Sequence, residues 1–231
     1  NHSHLIALQI EQADSVAALK AAALQMDGLV ELLHSGGIKV EVISRLVSEL
    51  NTRLFARLWA LLAPAEVQAH TCLIVMGSEG RGEQILKTDQ DNALLLRDGF
   101  EYDGLQALAD RFIAALIEFG YPRCPGDIML SNPLWRQPLA AFKATIHHWL
   151  YGADPQGAMH LAIFLDAAAV AGDAALLRQA TDYLYQVMVH NEPFLARFAA
   201  AADQFSEPGG WWSRWTGWRG LLGHDDPVFD L

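Results

Sequence analysis

Residues 77–96 read GSEGRGEQILKTDQDNALLL and carry the densest potential chemistry of the chain. Gly77 and Ser78 follow directly on the apolar run CLIVM, and ten residues further on Asp89-Gln90-Asp91 leads into a second apolar run. In an extended strand, side chains two apart share a face, so Asp89 and Asp91 are expected to project together and Gln90 away from them. Two neighbouring carboxylates repel, and each raises the other's pKa unless a cation lies between them. An oxygen-preferring divalent ion suits such a pair, and Mg²⁺ is usually held by one or two carboxylates together with substrate phosphates. The amides and hydroxyl at Gly77 and Ser78, at a strand-to-helix junction, would face that ion and favour an anion. Arg81 and Lys87 add positive charge in the same stretch of an otherwise acidic chain. These parts match the needs of a nucleoside triphosphate: donors for the phosphates, a metal for their charge and carboxylates for the metal.

Other glycine patterns fail on single residues. Gly77 and Gly82 have P-loop spacing, but Glu83 stands where the phosphate-binding lysine is required. A dinucleotide fingerprint needs a further glycine at 85, which is Ile, and a nucleophile elbow around Ser78 needs glycine at 76, which is Met. An Asp-x-Asp before a strand also occurs as a solvated or capping feature. What narrows the reading is the combination of Gly-Ser and Asp-x-Asp, each attached to an apolar strand.

The elements that must position these residues follow from hydrophobic spacing. TCLIVM at 71–76 and NALLLR at 92–97 are short and continuously apolar, as expected of strands buried on both faces. Apolar residues at steps of three and four predict helices over 15–33, about 40–62 and 104–119. The segment GYPRCPGD breaks the pattern, and DIML at 127–130 is a candidate third strand. After SNPLWRQP the pattern predicts only helices, over roughly 138–151, 157–171, 173–190 and 193–203. The tail gathers Trp211, Trp212, Trp215 and Trp218, which as large aromatics are expected to pack onto the body. His147 and His148 fall on different helix faces and read as structural, Trp135 reads as core, and Asp173 reads as a helix cap.

The 231 residues, 52% of them hydrophobic, can supply a substantial core for one large or two modest domains. A net charge of −11 argues against broad nucleic-acid or anionic-membrane binding. Two cysteines, Cys72 and Cys124, have no zinc or disulfide spacing. With no apolar segment of membrane length, a reducing cytoplasm is the expected compartment, and the chain reads as a piece of something longer.

Gly-Ser, about ten residues, then Asp-x-Asp resembles the signature of the nucleotidyltransferase superfamily typified by DNA polymerase β. More closely, GSEGRGEQILKTDQDNALLL resembles a bacterial nucleotidyltransferase family related to the N-terminal part of protein-PII uridylyltransferase. CPGDIMLSNPLWRQPLAAFKATIHHWL resembles that family's next motif, and IFLDAAAVAGDAALL the start of its helical domain. The likeness runs from about Val40 to Asp203. It implies contact of Gly77 and Ser78 with the triphosphate, and Mg²⁺ coordination by Asp89 and Asp91. It further implies in-line attack by an acceptor hydroxyl, of a protein or a small molecule, on the α-phosphate. Such sites commonly use a third carboxylate, for which Asp127 is the candidate. At position 168, where relatives often carry arginine, this chain has alanine, which weakens any statement about the acceptor. Members of the family often stand behind CBS or cyclic-nucleotide-binding domains.

The expected architecture is therefore α+β and predominantly helical. A helical segment at 1–66, mainly a helical pair, precedes a nucleotidyltransferase core with a small mixed sheet at 67–136. A helical bundle follows at 137–231. The expected function is Mg²⁺-dependent transfer of a nucleoside monophosphate from a triphosphate, in bacterial signalling. A catalytically weak nucleotide-sensing module is the alternative.

Overall fold

The structure, a computed structural model, describes residues 1–77, 87 and 89–204, with 199–204 as backbone alone. The α+β, mainly helical architecture is as expected from the sequence. Three helices open the chain: α1 (His2–Gln12), α2 (Val16–Ser35) and α3 (Val40–Leu62). They pack on one another as a bundle, so the expected helical pair is joined by a third helix at the N-terminus. Ser15 caps α2 by accepting from the Ala18 amide, which supplies one of the partners a helix start lacks. The apolar stripe of α3 buries Ile43, Val47, Leu50, Leu54 and Leu58.

A short helix α4 (Ala65–His70) leads directly into β1 (Thr71–Val75). Strand β2 (Asn92–Leu96) pairs antiparallel with β1, Leu73 opposite Leu94. All residues of both strands are buried, which explains why their sequences show no polar alternation: helices cover both faces. Helix α5 (Leu105–Glu118) follows, then a 3₁₀ turn at Pro133–Trp135, β3 (Arg136–Pro138) and α6 (Leu139–Tyr151). Next come α7 (Gly157–Leu165), β4 (Ala168–Gly172), α8 (Ala174–Val189) and α9 (Glu192–Gln204). The sheet order is β3-β2-β1-β4, with β3 parallel to β2 and β4 antiparallel to β1. Helix α8 packs on β1, β2 and β4, while α3 packs on β4 and α5.

Two expectations are corrected. The helix expected over 157–171 ends at Leu165, and residues 168–172 form an edge strand. Alanine-rich sequence favours helix locally, but pairing with the otherwise open edge of β1 overrides that preference. Gly172 makes the approach possible: its φ is +87°, and a Cβ there would lie 2.1 Å from the Thr71 carbonyl oxygen. The strand expected at 127–130 is not one. Asp127 has φ +55°, which breaks the extended path, and the additional strand is β3 instead. The Trp-rich tail lies outside the described residues.

Behind the sheet, Trp135 is core as expected, and its ring lies 5.3 Å from Trp149 and 5.4 Å from His160. His160 is buried in this aromatic group, and among the described residues its Nδ1 has no hydrogen-bond partner. Burial pushes the imidazole pKa below its usual value, partly offset by the charge of Asp154. The unfolded chain therefore takes up the proton first, and stability falls as pH drops through about 6.5 towards the lower folded value.

Two outcomes follow from this packing. Gly172→Ala meets backbone and not a flexible side chain, so chemical denaturation should show a loss of about 2–4 kcal/mol. His160→Leu should flatten the fall in stability between neutral pH and pH 5, measured by the same denaturation at stepped pH.

Candidate active site

The antiparallel pairing of β1 and β2 sets the end of one strand against the start of the other. The pairing continues one step beyond the strands, where the Met76 amide donates to the Asp91 carbonyl at 3.0 Å. Gly77, the next residue, is buried and has φ +65°, a left-handed conformation that glycine adopts without penalty. Gly77 and Asp91 thus lie at the same end of the sheet. Ser78 and Arg81, expected at the phosphates, lie outside the described residues, as do Glu83 and Thr88.

Asp89, Gln90 and Asp91 precede β2 and are not part of it, so strict alternation does not apply to them. Gln90 and Asp91 are both buried and Asp89 is half-buried. Gln90, expected to point away from the two aspartates, lies inside the protein. Its backbone amide donates to the Pro122 carbonyl, and its side-chain oxygen accepts from the Asn92 amide group at 2.9 Å. Asn92 in turn donates its backbone N–H to the Ile128 carbonyl and accepts from the Leu130 amide at 2.9 Å. These bonds clamp the 122–130 segment against the start of β2. They also explain why that segment needs no ladder: the Asn92 side chain supplies an acceptor that a strand would have supplied.

Cys124 belongs to the same clamp. Its thiol donates to the Asp91 carboxylate, and the turn it begins closes with the Asp127 amide donating to the Cys124 carbonyl at 3.0 Å. Burial, reinforced by the charge and hydrogen bond of Asp91, pushes the Cys124 thiol up to about 12. Cys72, inside β1, is pushed up to about 11, mainly by burial.

Asp127, proposed as the third carboxylate, sits one residue before Ile128, whose carbonyl binds Asn92, and is therefore at the same end of the sheet. Its side chain is exposed and lies 3.7 Å from the Arg123 guanidinium. Asn132 holds its carbonyl at 3.0 Å. Among the described residues no three His, Cys, Asp or Glu side chains converge on a point that could hold a metal, so Asp127 does not join Asp89 and Asp91 in a ready-made cluster. The donor set that remains, Asp89 and Asp91, still fits Mg²⁺ chemistry, because that ion takes one or two carboxylates and completes its shell with water and phosphate oxygens.

Lys87, expected at the phosphates, is turned elsewhere. Its ammonium donates to the Ala23 carbonyl at 2.6 Å and pairs with Asp27 at 3.2 Å, both on α2. Burial pushes its pKa below the usual lysine value, and Asp27 opposes that shift. Asp173 caps α8 as expected, accepting from the Ala175 amide, and also pairs with Arg97 at 3.2 Å.

Sequence reasoning missed Cys124, Gln90 and Asn92 as a supporting set. A cysteine next to Pro-Gly-Asp carried no metal or disulfide spacing, and the polar residues of DQDN were read through strand alternation alone.

The family described as "Putative nucleotidyltransferase DUF294" matches residues 24–156, which includes Gly77, Asp89, Asp91 and Asp127. No curated protein matches the chain. Among the described residues no helix is long and apolar enough to cross a membrane.

Both thiols should be inert in the folded protein at pH 8 and react only on unfolding, as counted with a chromogenic disulfide reagent with and without denaturant. Because the folded pKa values are raised, stability should decline above about pH 9, where only the unfolded thiols ionise.

Proposed function

This chain belongs to the DUF294 nucleotidyltransferase family, and we propose that it transfers a nucleoside monophosphate from a triphosphate to a hydroxyl, with Mg²⁺ held by Asp89 and Asp91. The observation that carries this reading is the bond from Met76 to Asp91, which puts Gly77 and Asp91 at one end of the sheet. When bound, the metal would offset negative charge on the triphosphate and on the transferred phosphoryl group.

The residues of the chain divide the remaining work. Gly77, Ser78 and Arg81 are assigned to the triphosphate. The acceptor oxygen forms a bond to the α-phosphorus as the α–β bridging bond breaks, and pyrophosphate leaves with that electron pair. Asp127 is assigned to receive the acceptor's proton. Its left-handed φ of +55° costs of order 1–2 kcal/mol, a strain of the kind that gathers at functional sites. The likeness to uridylyltransferases favours UMP and a regulatory protein as acceptor, in a bacterial cytoplasmic signalling protein that also carries CBS or cyclic-nucleotide-binding domains.

A second reading, nucleotide sensing without transfer, is favoured by one observation: Asp127 faces Arg123 and completes no three-carboxylate cluster among the described residues. Incubation with each labelled triphosphate, Mg²⁺ and host lysate distinguishes the two. Label should pass from one triphosphate to an acceptor; binding of a triphosphate with no transfer from any would leave the sensing reading. Replacing both Asp89 and Asp91 by Asn should abolish metal-dependent triphosphate binding, measured by calorimetry, and undiminished binding would remove them as ligands.

A further inference from the structure

Lys87 stands two residues before Asp89, yet its side chain is only 10% exposed, whereas its partner Asp27 is 60% exposed. The lysine therefore reaches back beneath the helical bundle while the aspartate stays at the surface. Its ammonium has two oxygen partners on α2 and also lies 5.5 Å from the centre of the Tyr121 ring. Gly120 makes room for the stem: its φ is +103°, and a Cβ there would lie 3.1 Å from Lys87 Cδ. Tyr121 is bound in turn by its hydroxyl to Asn51 on α3. Just beyond Tyr121, the Pro122 carbonyl holds the Gln90 amide at 3.0 Å.

We infer that Lys87 is a positioning residue: it ties the segment bearing Asp89 and Asp91 to the N-terminal helices through Ala23 and Asp27, and takes no part in binding phosphate. The consequence for the site rests on the assignment of Asp89 and Asp91 as metal ligands. A lysine serving a triphosphate needs a free ammonium directed at the anion. Here the ammonium would have to leave a carbonyl, a carboxylate and an aromatic face to do so, and its stem is packed against Gly120, where a side chain would be strained. The helices that precede the sheet thereby act on the position of the carboxylates without touching substrate. Loss of a partner that orients metal ligands typically weakens metal binding by roughly ten- to a hundredfold.

The test uses the full chain with Lys87→Met, Lys87→Arg, Asp27→Asn and the Lys87→Met/Asp27→Asn double variant. Hydrogen exchange at the amides of Gln90 and Asn92 reports the anchoring directly, and Mn²⁺ titration followed by electron paramagnetic resonance reports the carboxylates. Lys87→Met should speed exchange at both amides and weaken Mn²⁺ binding by at least tenfold. Asp27→Asn should do the same to a smaller degree, the double variant should be no worse than Lys87→Met, and Lys87→Arg should recover part of the loss. Unchanged exchange in Lys87→Met would overturn the inference. So would a loss of MnATP affinity in Lys87→Met that Asp27→Asn does not share, since that pattern belongs to a phosphate ligand. Asp27→Asn changes a surface side chain and keeps the test decisive if Lys87→Met does not fold. If the unaltered chain binds no Mn²⁺, the metal assignment fails, while the exchange measurement still decides whether Lys87 anchors the segment.

Discussion

The antiparallel pairing of β1 with β2 is the constraint on which the site depends. Both strands are buried along their whole length, so their backbone groups must find partners in the protein, most of them in the sheet and, for the Asn92 amide, at the Ile128 carbonyl. The register that puts Leu73 opposite Leu94 also puts Val75 opposite Asn92, and carries the pairing on to Met76 and Asp91. A slip by one residue would exchange the side chains that one strand presents to the two packed faces and shift Gly77 relative to Asp91. The geometry of the candidate site is in this sense a by-product of core packing.

Polar residues then take over where the ladder stops. Gln90, Asp91 and Asn92 are buried at a sheet end, where an unsatisfied polar group would be expensive. Each is met by a partner from the 121–130 segment: backbone at Pro122 and Ile128, the Leu130 amide, and the Cys124 thiol. This network does for the aspartates what hydrophobic packing does for the strands. It leaves Asp89 half-buried and Asp127 exposed beside Arg123, so among these carboxylates only Asp91 is enclosed.

Much of this was legible in the sequence, for physical reasons that differ between elements. The unbroken apolar runs of β1 and β2 and the regular spacing of α2, α3 and α5 are dictated by burial, which leaves its mark directly on composition. Strand β4 left none: AAVAG is helix-favouring and short, and only the open edge of β1 makes it extended. Strand β3 ends in proline and spans three residues, too few to show a period. The pairing of Gly-Ser with Asp-x-Asp was visible because the residue types carry the chemistry. The orientation of Gln90 and Lys87 was not, because it depends on partners 31 to 64 residues away, at Tyr121, Ala23 and Asp27.

Strand β4 also separates the family's extent from the folding unit. The matching segment closes at residue 156, but the strand that covers the outer side of β1 begins at Ala168, and Gly172 is seated directly on Thr71. A fragment cut at the family boundary would present the N–H and C=O groups of β1 as a bare, mostly apolar edge, which is a template for intermolecular strand pairing. The smallest unit that keeps both edges of β1 paired therefore extends at least through Gly172.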